Sequence, residues 1–220
     1  MNGQIPDEIS TLRALQKLDL FFNTITGTLP DGLARVENLA MIDVQQNLLT
    51  GKAFPLSITG LARLVSYRIG NNQFTGEIPK EISLMKNVEE LWAGDNAIFG
   101  SVPPEIGDLR NLKTIYLNNN ALTGKLPSEL GLIPLEGLVM NDNNFLDTIP
   151  KQIFNVASLN TLRLDSNFFE GTLPNAIGQL TDLENLRIEK NNLSGEIPAA
   201  IGSMTSLGEY RFRFSCGIKL

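Results

Sequence analysis

Residues 112–134 read LKTIYLNNNALTGKLPSELGLIP, and Leu135 begins the same pattern again. Leu112, Ile115 and Leu117 place apolar side chains in the L-x-x-L-x-L alternation of a short strand with one buried face. Asn120 follows, then the apolar Leu122. The segment then turns through GKLP, where Gly124 supplies permissive backbone angles and Pro127 fixes a bend. A strand, an amide, one more inward side chain and a tight turn fit into 23 residues.

Stepping outward from Leu112 in both directions, equivalent residues fall at Leu15, Leu39, Leu64, Val88, Leu135, Leu159, Leu183 and Leu207, with steps of 23 to 25 residues. A fixed period of this size is the mark of a solenoid, in which each coil buries its apolar face only against its neighbours. Eight residues past each origin stands an Asn: Asn23, Asn47, Asn72, Asn96, Asn120, Asn143, Asn167 and Asn191; at the ninth position Ser215 breaks the series. A carboxamide both donates and accepts, so stacked copies can serve the backbone groups left open where each strand turns away. The row is read as a buried Asn ladder, and one short strand is expected per repeat. Two residues further, Ile25, Leu49, Phe74, Ile98, Leu122, Phe145, Phe169 and Leu193 should point into the coil.

With G-x-[IVL]-P recurring as GTLP, GEIP, GSVP and GKLP, the chain resembles the plant-type leucine-rich-repeat family, and the resemblance covers almost its whole length. It implies a leucine-rich-repeat solenoid of the α/β horseshoe class, a right-handed superhelix with a concave parallel β-sheet and a convex side of short extended and 3₁₀ segments. It also implies likeness to the ectodomains of leucine-rich-repeat receptor-like kinases and receptor-like proteins, whose concave faces bind peptides, hormones, co-receptors or pathogen proteins. Residues 1–220 are read as a single domain with about eight full repeats at 15–206, a partial repeat at 1–14 and a degenerate one at 207–220.

Departures from the pattern fall in the connecting segments. GKAFPLSI carries one extra residue and puts Pro55 a step late, and GLIPLEGL loses one before Pro134. Asp147 replaces the turn glycine, so FLDTIP is expected to bend differently. MNGQIPDEISTL matches the second half of a coil, and the paired-cysteine caps usual in extracellular members of the family are missing. This favours a fragment of a longer receptor over a chain lidded by Tyr210, Phe212 and Phe214. Phe21 and Phe22 point outward from the first strand and call for a cover.

Composition excludes several classes. The net charge of −6 and the absence of any Lys/Arg run speak against nucleic acid. No apolar stretch approaches the roughly 20 residues of a membrane span, so this segment is not expected to insert directly, and no signal peptide precedes it. There is no His, and Cys216 is alone. Without a base, a metal-ligand set or a cofactor motif, no enzyme, cofactor or metal is expected. The carboxylate pairs Glu89 with Glu90 and Asp142 with Asp165 do not read as a glycosidase dyad, since no pocket is implied around them.

The outward positions of the strands are the natural readers of a ligand. The middle one runs Asp19, Asp43, Arg68, Trp92, Tyr116, Val139, Arg163, Arg187, Arg211, from an acidic end through an aromatic centre to a basic end. Next to Trp92 the following outward position is small, at Gly70 and Gly94, which predicts a shallow recess flanked by Arg68, Tyr116, Asn118 and Asp95. Exposed Trp, Tyr and Arg are enriched in binding hot spots, so Arg68, Trp92, Asp95, Tyr116 and Asn118 form the candidate ligand-binding set. The competing reading is that Trp92 and Tyr116 pack on each other as ordinary sheet surface. Arg163, Arg187 and Arg211 alternate with Asp165, Glu184, Glu189 and Glu209 and read as a solvated salt-bridge ladder. Asn192-Leu193-Ser194 is a glycosylation sequon that also matches family consensus.

The expected function is therefore a non-catalytic scaffold with a protein or peptide ligand on the concave face. A polygalacturonase-inhibitor-like protein and an intracellular assembly scaffold are the alternatives. The resemblance favours a cell-surface or extracellular location, while the missing signal peptide leaves a cytoplasmic one open.

Overall fold

The structure, a computed structural model, describes residues 2–211. Its main feature is a nine-stranded parallel sheet in strict chain order, from Lys17–Asp19 through Glu90–Trp92 and Thr114–Tyr116 to Glu209–Arg211. Each strand is three residues long and pairs one full repeat onward, as Arg68 with Trp92 and Trp92 with Tyr116. The central residue of each strand faces inward: Leu91, Ile115, Leu138 and Leu162 are completely buried. Behind them the inward row from Leu49 to Phe169 is also completely buried, with Phe145 and Phe169 stacked at 6.0 Å.

The convex side is made of five-residue 3₁₀ turns such as Lys80–Leu84, Ser128–Leu132 and Asn175–Gln179, each entered through a proline in extended conformation. Proline suits that entry because its fixed φ needs no adjustment and its missing N–H would have no partner there. The inserted residue of the second repeat converts the turn to a short α-helix, Leu56–Thr59. Tyr67 replaces the usual aliphatic residue beneath it, packs edge-on against Phe54 and donates to the Ala53 carbonyl at 2.6 Å, so one coil is made wider from within.

Two features depart from the sequence reading. A repeat holds not one strand but, along most of the array, two. Residues just past the ladder amides form a second parallel sheet on the flank, six strands from Thr75–Gly76 to Asn192–Leu193, with Asn2–Gln4 and Thr24–Thr26 paired separately. These strands are two to five residues long and run into a glycine of positive φ, so their alternation is too brief to stand out. The second departure is Asp147. It does not bend FLDTIP away: its φ of 72° reproduces the 77–95° of the turn glycines from Gly27 to Gly195. Asp is one of the few residues that tolerate this region, and its carboxylate accepts from the Thr148 N–H and pairs with Lys125.

The Asn row behaves as a ladder. From Asn47 to Asn191, each Oδ1 accepts the N–H of the inward residue one coil back, as Leu122 N–H to Asn143 at 3.0 Å. Each Nδ2 donates to a carbonyl of that preceding coil and to two of its own, for Asn143 those of Leu117, Met140 and Asn141. The residue before every ladder Asn is left-handed, with φ of 53–57° from Phe22 to Lys190. Asn71, Asp95, Asn119 and Asp142 are natural occupants of that geometry. Ser215, Cys216, Phe212 and Phe214 lie outside the described residues.

Candidate functional site

The three side chains expected at the centre of the concave face form a column along the solenoid axis. Trp92 and Tyr116 are stacked with centroids 5.2 Å apart and planes 9° from parallel. The Arg68 guanidinium lies 4.2 Å from the Trp92 ring centroid on the side toward the N-terminal coils, a cation–π contact. Glu90 holds the guanidinium, accepting from Nε at 3.0 Å and Nη2 at 2.6 Å, with Asp43 3.5 Å from Nη1. Trp92 Nε1 donates to the Thr114 hydroxyl at 2.8 Å, so the indole keeps a polar partner. At the far end Tyr116 leans over Gly137, where a Cβ would stand 3.1 Å from its ring. Burial, and Glu90 behind it, push the Tyr116 hydroxyl above the ordinary phenol range.

The expected recess is filled. A Cβ at Gly94 would fall on the Asn118 amide, and one at Gly70 would lie 3.2 Å from the Gln45 side-chain nitrogen. Gly94 thus makes room for the Asn118 amide, and Gly70 for the Gly94 carbonyl, 3.1 Å from where its Cβ would stand, as well as for Gln45. Asp95 binds both adjacent carboxamides, Asn119 at 2.7 Å and Asn118 at 3.3 Å. Arg68, Trp92, Tyr116, Asn118 and Asp95 are therefore brought together as one hydrogen-bonded and stacked patch. Both indole faces are covered, and all three members of the column remain partly exposed at their edges. Such a patch presents edges and amides at the surface and no free indole face.

Sequence reasoning missed three supporting residues. By sequence Glu90 reads as half of a carboxylate pair, yet Glu89 binds Lys113 at 2.6 Å while Glu90 binds Arg68. Thr114 and Gly137 are ordinary strand residues by sequence. The available signal was their shared place, two residues before the middle outward row of Trp92, Tyr116 and Val139. Among the described residues no group of three or more His, Cys, Asp or Glu could hold a metal ion. Phe21 and Phe22 are exposed, 49% and 74%, with rings 6.1 Å apart. Asn192 is exposed on the last strand of the flank sheet.

Toward the C-terminal end the salt-bridge ladder forms in part. Arg187 binds both Glu209 oxygens at 2.7 and 2.9 Å, and Arg211 adds a contact at 2.9 Å. Asp165 is worse served: it is 7% exposed, and Arg163 Nε stands 3.6 Å away. Burial raises its carboxyl above 3.8, with Glu189 and Asp142 adding repulsion and Arg163 opposing them. A carboxyl whose folded pKa is raised favours the protonated form in the fold, so its ionisation weakens the fold at neutral pH and that loss is recovered as pH falls toward 3.8. Asp165→Asn is accordingly expected to melt higher than wild type at neutral pH, the gap closing in acid. Melting curves across that range check it; a variant less stable at neutral pH contradicts it.

A Leucine Rich Repeat family model matches residues 14–36, 111–133, 158–180 and 182–204, four segments in register with the strands and turns described above. The chain folds as a leucine-rich-repeat solenoid, and four of its coils match that family's repeat. Among curated proteins, this leucine-rich-repeat chain is similar to Receptor-like protein 31 of Arabidopsis thaliana, 32% identical over 89 residues, or 40% of this chain and 10% of the relative. Among solved structures it superposes on a TDR receptor with a TM-score of 0.90 and 32% identity, covering 94% of this chain and 36% of that one. The Arabidopsis receptor kinase HAESA, in complex with the peptide hormone IDA and a co-receptor, gives a TM-score of 0.88 and 32% identity over 92% and 34%. The leucine-rich-repeat chain thus spans about a tenth of that curated relative and about a third of these structures.

Proposed function

We propose that the chain is a non-catalytic recognition segment that binds a peptide or an extended stretch of protein on its concave face, in the manner of receptor-like ectodomains. The observation that carries this reading is the central column of Arg68, Trp92 and Tyr116, held rigidly by Glu90, Thr114 and Gly137 with its edges open to the groove. Partly exposed Trp, Tyr and Arg on a preorganised sheet are the residue types and the setting in which binding energy concentrates. Similarity to a receptor solved with a peptide hormone supports the same class of ligand. The absence of His supports a role without chemistry. Asp95 and Asn118 supply the polar margin of the patch.

A displayed library of random twelve-residue peptides, panned on the wild-type chain, tests this. The enriched sequences are expected to bind Trp92→Ala and Arg68→Gln at least about tenfold more weakly, the loss typical of one hot-spot side chain. Circular dichroism shows whether both variants keep the fold. A library that yields no binder, or binders indifferent to both substitutions in folded protein, overturns the reading.

A further inference from the structure

Beyond the aromatic column, the concave face carries a row of acceptors without donors. Asn141 Oδ1, Asp165 Oδ1 and Glu189 Oε2 occupy the same outward position in three consecutive coils, and none has a hydrogen-bond partner. Asn141 is 4% exposed and Asp165 7%, so these oxygens are not served by bulk water. Asn185 Oδ1, on the neighbouring strand, is a fourth.

The nearby arginines do not repair this. Arg187 commits its Nη2 to Glu209, and Arg163 stands beyond hydrogen-bond reach of Asp165. The Nε of each is buried and likewise without a hydrogen-bond partner, that of Arg163 facing Asp165 Oδ1 at 3.6 Å, so that buried unpaired acceptors here outnumber buried unpaired donors by four to two. Folded proteins leave few buried polar groups unpaired, and a cluster in one place on a binding face calls for an external donor. Among the described residues no group of three or more His, Cys, Asp or Glu could hold a metal ion, which favours a hydrogen-bond donor as the occupant.

We infer that the row Asn141, Asp165 and Glu189 receives a cationic side chain of the bound segment, an arginine guanidinium above all; this subsite rests on the concave face being the recognition surface. A guanidinium presents five N–H donors in a planar fork and can serve acceptors on neighbouring strands roughly 4.8 Å apart, whereas an ammonium concentrates its donors at one point. Val139 pairs across the sheet with both Tyr116 and Arg163, so an apolar step lies between the aromatic column and this row for the methylenes of the incoming side chain. Arg163 compensates the buried Asp165 carboxylate only in part, and a donor from the ligand completes it.

The test uses a single amino-acid probe. Nitrogen-15-labelled protein is titrated with N-acetyl-arginine N-methylamide, its neutral citrulline counterpart and its glutamate counterpart, following the side-chain amides of Asn141 and Asn185. The arginine probe is expected to give saturable shifts there. The citrulline probe should bind about tenfold more weakly, as when one charge-assisted hydrogen bond is lost. Asp165→Asn and Glu189→Gln should abolish the preference while each still unfolds cooperatively. Equal response to citrulline, a stronger response to glutamate, or no localised shift overturns the inference. The probe does not touch the Trp92 column, so failure here is distinguishable from failure of the peptide-library test.

Discussion

Asn143→Ala is expected to lower the unfolding free energy by about 2–3 kcal/mol and the melting temperature by about 4–12 °C. The side chain is 6% exposed and makes four hydrogen bonds, three through Nδ2 to backbone carbonyls and one accepted from Leu122 N–H. The Leu117 carbonyl keeps a second donor in Asn120, so its loss is partial. The Leu122 N–H keeps no side-chain acceptor, and a buried unpaired donor costs far more than one hydrogen bond contributes. Because each coil contacts only its neighbours, the damage should be local. Amide exchange should accelerate around Leu122 and Leu117 while the first coils stay protected. Urea denaturation gives the magnitude, and a change below about 0.5 kcal/mol, the scatter of ordinary surface substitutions, would contradict the ladder as a stabilising element.

Gly131→Ala should also destabilise, by about 1–2 kcal/mol, although alanine is the better residue for a helical turn. Relief of glycine's backbone entropy favours the substitution by about 0.5–1 kcal/mol. Against it, a Cβ at Gly131 would stand 2.5 Å from Gln152 Cβ and 2.6 Å from its carbonyl oxygen, and backbone cannot swing aside as a side-chain tip can. Overpacking of this kind costs about 1–3 kcal/mol. The same approach recurs at Gly107 against Glu129 and Gly178 against Ala200, so the convex turns are spaced by glycine contacts between coils. Gly202, with nothing within 4 Å, is the internal control. Gly202→Ala should be neutral or slightly stabilising, and equal melting temperatures for the two variants would refute the clash.

Much of this architecture is legible in sequence because its causes repeat. Leu, Asn, Gly and Pro recur at fixed intervals, and each answers a need within one coil: a buried face, an open backbone group, a positive φ, a bend. What repeats weakly is lost. The flank sheet depends on two or three residues per coil, and the left-handed position holds Phe22, Gln46 and Lys190 as well as Asn and Asp, so no residue type announces it. Contacts between coils are harder still. Sequence placed Trp92 beside Tyr116 and Gly94 beside Asn118, but not which side chain leans over which. A gap beside a glycine was expected where an amide from the next coil now lies, and Gly137, unremarked by sequence, is what admits Tyr116. The unpaired row at Asn141, Asp165 and Glu189 reads in sequence as part of a charge ladder. Its imbalance depends on Arg187 turning to Glu209, a choice only three dimensions record.

The strict order of the nine-stranded sheet sets a ruler. Its rungs are roughly 4.8 Å apart, whereas side chains on one face of an extended peptide recur about every 6.7 Å. The two scales behave as a vernier. A peptide lying along the axis falls into step with one row of outward residues at a rung, slips out at the next, and returns near phase only after about three rungs for every four of its own residues. Tyr116 and Glu189 are three repeats apart in the array. Contacts at the column and at the acceptor row would therefore select peptides by the number of residues between two anchoring side chains as much as by the side chains themselves, and inserting or deleting a single residue between them should undo binding that either anchor alone permits.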